Sequence, residues 1–489
     1  MSQVYTNIQI PVILIYMDQK KKIVIFHYHL KRGGVTSVIK EQVQALKNDH
    51  DLLIITGESP EEFIHDDVSV IPELGYSKIT DNKISPEESA ARILKTIEKY
   101  FGTQCDILHL HNPILAKNHN LIKIIKIISG KGVNVFLQIH DFAEDGRPLS
   151  YFKDEYPVDV HYGVINSRDY FYLLNSGLTE KGLHLLPNCI RQLDTDDTVH
   201  KDNNLVLYPV RAIRRKNIGE AILLSLFLKE NDRIGITLPA LNNNDLKSYE
   251  EWKHFVKSNF MKVDFDLGIR YNFNDLIEKS KFFITTSITE GFGFAYLEPW
   301  ICGRRLFGRK IVDICKDFTM NDINLDDLYE ELHVPSEMID KSYYFNKLKS
   351  ELRAAEKYYG ISINHDSFLN YFSGKYSSDS IDFGMLSEKM QSEVITKTIR
   401  SKSIRRKILE FNPKLKLLSD DIDNHNPVTS NIDAIRRYYS RETYKKRLNE
   451  IYDNIYNTKI RQKPDKKRLL EKFLQPEHFY LLKWGSYDG

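Results

Sequence analysis

Short apolar runs recur along the first two thirds of the chain, and each ends in a polar turn before apolar residues return at helical spacing. Lys22–His29, Asp51–Ile55, Asp106–His111, Val133–Ile139, Val160–Ile165 and His184–Pro187 read as strands, with helical patterns at about 87–100, 115–130 and 168–177 between several of them. After the polar stretch Arg191–Asn204 the pattern restarts, with strands predicted at Leu205–Tyr208, Arg233–Thr237, Met261–Phe265 and 282–286 and an apolar helix over Ile218–Leu228. Strands that are apolar on both faces and alternate with helices build parallel sheets, whose ligand-binding loops lie at the strands' carboxyl ends. The expectation is an α/β protein with two such sheets.

The loops at those ends carry the chemistry. The first strand runs into Gly33-Gly34 and then a helical pattern through Val38, Ile39, Val43 and Leu46. It has no Gly-x-Gly-x-x-Gly and so is not a dinucleotide fingerprint; the paired glycines either offer backbone N–H groups to an anion or only make a tight turn. His140-Asp141 closes another strand and opens the polar loop Phe142–Pro148, where Arg147 stands among acidic neighbours, poised for a ligand. That histidine either meets the ligand or merely caps its strand.

In the second sheet the basic loop Pro209–Lys216 places Arg211 and Lys216 on the edge that carries Glu290 and Glu298, with Arg214 and Arg215 read as solvated surface residues. Between the glutamates, Gly291, Phe292 and Gly293 form a turn expected to open a helix near Gly293, whose free N–H groups and positive dipole end suit a phosphate. On that reading Glu298 lies further along the same helix, at about 1.5 Å per residue. Cations for a diphosphate and carboxylates for sugar hydroxyls are the ligand chemistry this edge implies. Taken alone, the two-glutamate stretch is equally compatible with an ordinary strand-to-helix turn.

Composition narrows the field. At 489 residues the chain exceeds a single core, so two domains or more are expected. Its 69 basic residues nearly balance its 67 acidic ones, so charge gives no general argument for nucleic acid or membrane. Cys105, Cys189, Cys302 and Cys315 have neither Cys-x-x-Cys nor zinc spacing, and fit a reducing, cytoplasmic setting. The apolar run Ile10–Met17 is too short to span a bilayer and reads as an extra strand or a tail. Asp194–Asp196 and Asp264–Asp266 read as loop or strand residues rather than metal ligands.

Four places, in this order, resemble glycosyltransferase family 4, the retaining nucleotide-sugar enzymes. They are Gly33-Gly34, His140-Asp141, Arg211 with Lys216 five positions later, and Glu290 separated by seven residues from Glu298. His109-x-His111, Leu186-Pro-Asn188 and Tyr439–Tyr452 are lesser echoes, and the likeness covers about 22–310 and, more weakly, 427–460. The resemblance implies the GT-B fold, two Rossmann-like domains facing across a cleft. It implies that Arg211 and Lys216 hold the donor diphosphate, that Glu298 binds the ribose, and that Glu290, with Gly291, Phe292 and Gly293, meets the transferred sugar. His140 would touch that sugar from the opposite domain, Gly34 would present its backbone to the diphosphate or the acceptor, and Gly33 and Arg147 would lie on the acceptor side. The same resemblance implies a nucleotide sugar as donor, UDP-glucose first and GDP-mannose next, and a hydroxyl acceptor that is a small metabolite or a glycan. No cofactor or metal is then expected, because fixed cations stabilise the leaving group.

The expected organisation is a domain over 1–200, a nucleotide-sugar domain over 201–310, an atypical, largely helical insertion over 311–426 and C-terminal helices and tail over 427–489. The insertion is longer than the resemblance accounts for. Its helical stretches Leu348–Tyr359 and Met385–Ile399 and basic cluster Arg400–Lys407 lie outside the motif-bearing core, where they would set acceptor choice, oligomerisation or docking. The basic clusters read as solvated helix faces, which leaves nucleic acid out and peripheral membrane contact unfavoured. Pro299, which lacks an N–H, puts the helix after Gly293 in question. The competing functions are a glycoside phosphorylase on the same fold and a non-catalytic nucleotide-sugar-binding scaffold.

Overall fold

The computed structural model describes residues 20–77, 84–191, 204–376, 379–419 and 428–488; the apolar run Ile10–Met17, Asp194–Asp196 and most of the stretch between 191 and 204 lie outside the described residues. Strands β1 (Lys22–His27), β2 (Asp51–Thr56), β3 (Val68–Val70), β4 (Ile107–His111), β5 (Val135–Ile139), β6 (His161–Val164) and β7 (Leu183–Leu185) form one sheet. Their order is β3-β2-β1-β4-β5-β6-β7 and every pairing is parallel. β4 and β5 are buried at every position, His109, His111 and Gln138 included, so both faces need helical cover.

A second parallel sheet holds β8 (Leu205–Arg211), β9 (Arg233–Leu238), β10 (Val263–Asp264), β11 (Ser280–Thr285) and β12 (Leu306–Gly308), in the order β10-β9-β8-β11-β12. Strand order reverses between β1 and β4 in the first sheet and between β8 and β11 in the second. Crevices for ligands open at the carboxyl ends of such switch points. The loops after β1, β8 and β11 are those that carry Gly33-Gly34, Arg211 to Lys216, and Glu290.

The insertion contains an antiparallel pair, β13 (His333–Pro335) and β14 (Ser380–Asp382), with helices at Lys341–Tyr359, His365–Tyr376, Glu388–Arg400 and Lys402–Phe411. Leu348, Leu352, Phe372, Val394 and Ile395 share one buried cluster with Ile222, Ile236 and Trp252 of the second sheet and its helices. The insertion therefore thickens the core of that half of the molecule. Its basic run lies on the helix Lys402–Phe411, where Lys407 pairs with Glu337 at 2.9 Å.

The C-terminal helices stitch the halves together. Val428–Tyr438 packs beside the short helix Glu298–Ile301, and Arg441–Asn457 crosses to the helix Gly34–Leu46, bringing Tyr444 and Tyr452 into the first core. The chain then lays Lys466–Phe473 on the first half and returns to the second. There Arg214 pairs with Glu388 and donates to the carbonyls of Leu481 and Gly485, while Lys483 pairs with Asp145 of the first half.

Candidate active site

The two loops at the β8/β11 switch point are held together by hydrogen bonds from residues with no charge. Thr286 Oγ1 donates to the carbonyls of Lys216 and Asn217 at 3.0 Å each, Tyr208 Oη donates to the Lys216 carbonyl at 2.6 Å, and the Ile288 N–H donates to the Arg215 carbonyl at 3.1 Å. This zipper brings Lys216 Nζ against Glu290 Oε1 as an ion pair. Burial alone would raise the Glu290 carboxyl, but Lys216 and Arg215, with hydrogen bonds from Lys216 and Ser287, hold it below the usual carboxylate range. Burial lowers the Lys216 ammonium, and neighbouring Arg215 adds to that against the pull of Glu290. The pair is thus an anion firmly held and a cation under electrostatic pressure, ready to share its charge with an incoming anion.

Gly291 closes the gap to the first half. A Cβ there would stand 2.7 Å from the His140 carbonyl oxygen, so no other residue fits, and Asn166 Nδ2 donates to the Gly291 carbonyl at 2.8 Å. Across the same seam Arg215 lies 3.8 Å from Asp141, which accepts from Arg147 at 2.6 Å. The His140 and Asp141 N–H groups both donate to Asn112 Oδ1, at 2.7 and 3.0 Å, which pins the loop after β5. Burial pushes His140 down to about 4, so at neutral pH the ring is uncharged although Asp141 pulls the other way.

Arg211 ends β8 half-buried, with one bond to the Pro239 carbonyl at 3.1 Å and no ion pair among the described residues. Burial and the charge of Arg32, in the turn before Gly33, lower its guanidinium. Two cations from opposite halves thus face each other, an arrangement that an anion would relieve. Gly34 is the first residue of its helix, and a Cβ on it would meet nothing within 4 Å. The space before that helix is open.

Several expectations need correction. No helix starts at Gly293: a 3₁₀ turn at Phe294–Tyr296 is followed by a break at Leu297 and a four-residue helix, Glu298–Ile301. Pro299 sits in its first turn, where the missing N–H costs nothing. Glu298 is therefore the first residue of a separate short helix, solvent-exposed but flanked by protein, and those low-dielectric surroundings push its carboxyl up to about 7. Gly293 has φ +91°, and the Phe292 ring is buried against Phe294 and Phe318, leaving only its backbone to meet a ligand. Arg214 and Arg215 are only partly solvated: the first is paired with Glu388, and the second, still partly exposed, faces Asp141.

The first part of the loop Phe142–Pro148 is sealed, and Asp145 to Pro148 are half-buried. Ala143 and Glu144 are fully buried, Tyr359 of the insertion donates to the Ala143 carbonyl at 2.7 Å, and Tyr156 Oη donates to Glu144 at 2.7 Å. Arg147 remains partly exposed, but on Asp141. Sequence reasoning missed Asn166, Tyr208 and Gln42: Tyr208 is a polar-tipped ring in an apolar run, whereas Asn166 and Gln42 stand among other polar residues and carry no local signal. Among the described residues no group of three or more His, Cys, Asp and Glu side chains is arranged to hold a metal, and no helix is long and apolar enough to cross a membrane.

No family model matches the chain. It is 27% identical over 478 residues to the mannosylglucosyl-3-phosphoglycerate synthase of Petrotoga mobilis, covering 88% of this chain and 91% of that one. In structure it is similar to HepE of Anabaena in complex with UDP and glucose, with a TM-score of 0.51 at 12% identity over 88% of this chain and 99% of that one. A glycosyltransferase from Rickettsia africae gives 0.51 at 14% identity over 90% and 100%. The protein has the GT-B fold. In this GT-B molecule the parallel sheets are the two facing halves, Lys216 and Glu290 lie on the C-terminal half, and His140 lies on the N-terminal half directly across the seam.

Proposed function

We propose that the protein is a retaining, family-4-like glycosyltransferase that moves a hexose from a nucleotide diphosphate sugar to a hydroxyl of an acceptor carrying a phosphorylated glycerate. The observation that carries the reading is the Lys216–Glu290 pair on the β8/β11 edge, with Arg211 uncommitted on one side and neutral His140 on the other. The acceptor class is supported by the Petrotoga relative, whose name gives its product as mannosylglucosyl-3-phosphoglycerate. That product contains both hexoses of the expected donors, UDP-glucose and GDP-mannose.

In the proposed reaction Arg211 and Lys216 hold the diphosphate, Glu298 accepts from the ribose hydroxyls and Glu290 from those of the hexose. The bond from the anomeric carbon to the phosphate oxygen breaks as the acceptor oxygen bonds on the same face, and the acceptor's proton passes to the departing phosphate oxygen. Charge that develops on the diphosphate meets cations already in place, so little reorganisation is needed. With those cations the reading assigns no metal and no cofactor beyond the donor, and the four cysteines, all free and buried, suit a cytoplasmic setting.

Thermal denaturation against UDP, GDP, ADP and their glucose and mannose conjugates tests the donor. One nucleotide family should raise the melting temperature by an amount that grows with the logarithm of its concentration above its dissociation constant, and Arg211→Ala should abolish the shift. A shift with inorganic phosphate or a free glycoside alone would instead identify a phosphorylase. A second expectation follows from Glu298. Its ionised form is the better acceptor, so affinity for the intact nucleotide sugar should rise as pH passes upward through about 7, and Glu298→Gln should flatten that rise in calorimetric titrations.

A further inference from the structure

A buried line of rings and amides runs behind His140. The rings of His140 and His111 lie edge to edge and nearly coplanar, their centroids 5.2 Å apart and their planes 12° apart, and His109 stacks on His111 at 4.6 Å. His140 Nε2 lies 2.9 Å from His111 Nδ1, and His111 Nε2 lies 2.9 Å from Gln42 Oε1. The other end of the Gln42 amide faces two oxygens, Gln138 Oε1 at 2.8 Å and Tyr444 Oη at 2.5 Å. Gln42, Gln138 and His111 have no exposed surface at all. Gln42 belongs to the helix after Gly33-Gly34 and Tyr444 to the helix that crosses between the halves, so the line begins where the C-terminal segment docks.

The protons along this line are not independent. Burial holds both His111 and His140 below their ordinary range, so each ring is neutral and carries one N–H. Gln42 presents its nitrogen to the two oxygens, which turns its own oxygen to His111, and an amide oxygen only accepts. His111 must then be protonated at Nε2 and bare at Nδ1, and a bare Nδ1 requires the donor in the next contact to be His140 Nε2. His140 Nδ1 is left with a lone pair.

We propose that Gln42, acting through His111, is a positioning residue that locks His140 in the tautomer whose Nδ1 accepts a hydrogen bond from a hydroxyl of the donor sugar. The role for His140 rests on the glycosyltransferase reading; the tautomer rests on the orientation of the Gln42 and Gln138 amides. Reversal of the Gln42 amide would propagate through the same contacts and make Nδ1 a donor, which suits a phosphate or carbonyl oxygen instead. Gln42 therefore selects what kind of group this corner of the cleft recognises, with no contact to the ligand itself.

The deciding measurement is a long-range ¹H–¹⁵N correlation spectrum of the full chain labelled at histidine, with His140 and His111 assigned from His140→Gln and His111→Gln. Both rings should be protonated at Nε2 and bare at Nδ1; a protonated Nδ1 in either ring overturns the proposal. Gln42→Met keeps length and removes polarity. It should populate both His140 tautomers and weaken nucleotide-sugar binding about tenfold, the size expected for one misdirected buried hydrogen bond, with a lowered melting temperature because Gln138 Oε1, Tyr444 Oη and His111 Nε2 lose a buried partner. An unchanged single tautomer in Gln42→Met also overturns it. If Gln42→Met fails to fold, the parent spectrum alone decides, and if the parent binds no nucleotide sugar, the functional reading fails while the tautomer is still read.

Discussion

Lys216→Met is expected to lower kcat for glycosyl transfer by about two to three orders of magnitude, the range seen when one preorganised charge-stabilising donor is removed from an active site. Lys216 is fixed before substrate arrives: its carbonyl accepts from Tyr208 and Thr286, and its ammonium is paired with Glu290. An incoming diphosphate gains a cation whose position needs no ordering, and that gain is largest when the leaving oxygen carries its full charge. The loss should therefore fall on kcat more than on KM. Removing one partner also leaves Glu290 short of charge compensation, which would destabilise the fold for an unrelated reason. The double variant Lys216→Met/Glu290→Gln separates the two effects. It should regain the parent's melting temperature, which assigns the instability to the stranded carboxylate; kcat is then read in Lys216→Met alone, at a temperature where it is fully folded, and a near-parent kcat there would show that Lys216 serves only to hold Glu290.

The framework of both sheets was legible because its strands are apolar on both faces, and Phe282, Phe283 and Ile284 announce a buried strand without reference to anything distant. β3, β12 and the β13/β14 pair were not, since three residues apiece leave no period to read. Arg211, Lys216, Glu290 and His140 were legible through their order along the chain, and the structure brings Lys216, Glu290 and His140 to one seam with Arg211 beside them at the end of β8. Arg214 and the loop Phe142–Pro148 misled for a shared reason. Their polar groups are answered by Glu388, Tyr359 and Lys483, far along the chain, and local polarity looks the same whether water or a remote residue will satisfy it. The break at Leu297 was foreshadowed by Pro299. The relay behind His140 had only a His-x-His pair on β4 as its signal, and alternation along a strand does not say what faces each ring.

The largest effect on stability is expected from Arg309→Met, a loss of about 3–5 kcal/mol, the usual cost of stranding buried charge. Arg309 is 2% exposed and lies between Glu220 and Asp382, neither more than 4% exposed. Its five N–H groups make five bonds: two to Glu220, at 3.0 and 2.5 Å, two to Asp382, at 2.9 and 2.7 Å, and one to the Glu330 carbonyl at 3.0 Å. Gly384 makes the room, since a Cβ there would lie 2.8 Å from the guanidinium carbon. Without the arginine, Glu220 and Asp382 keep lesser donors, among them Tyr329, Asn217 and the Leu332 N–H, but have no opposing charge. Burial already raises Glu220 with Arg309 present, and that carboxyl should rise further in its absence. The folded variant then binds more protons than its unfolded chain, so the deficit relative to the parent should widen as pH climbs from about 5 to about 8. A packing defect alone would give a deficit indifferent to pH, and urea unfolding at the two pH values tells them apart. Because Asn217 donates to Glu220 and follows Lys216 directly, the variant should also lose nucleotide-sugar affinity even where it remains folded, which links the insertion that supplies Asp382 to the site that Lys216 serves.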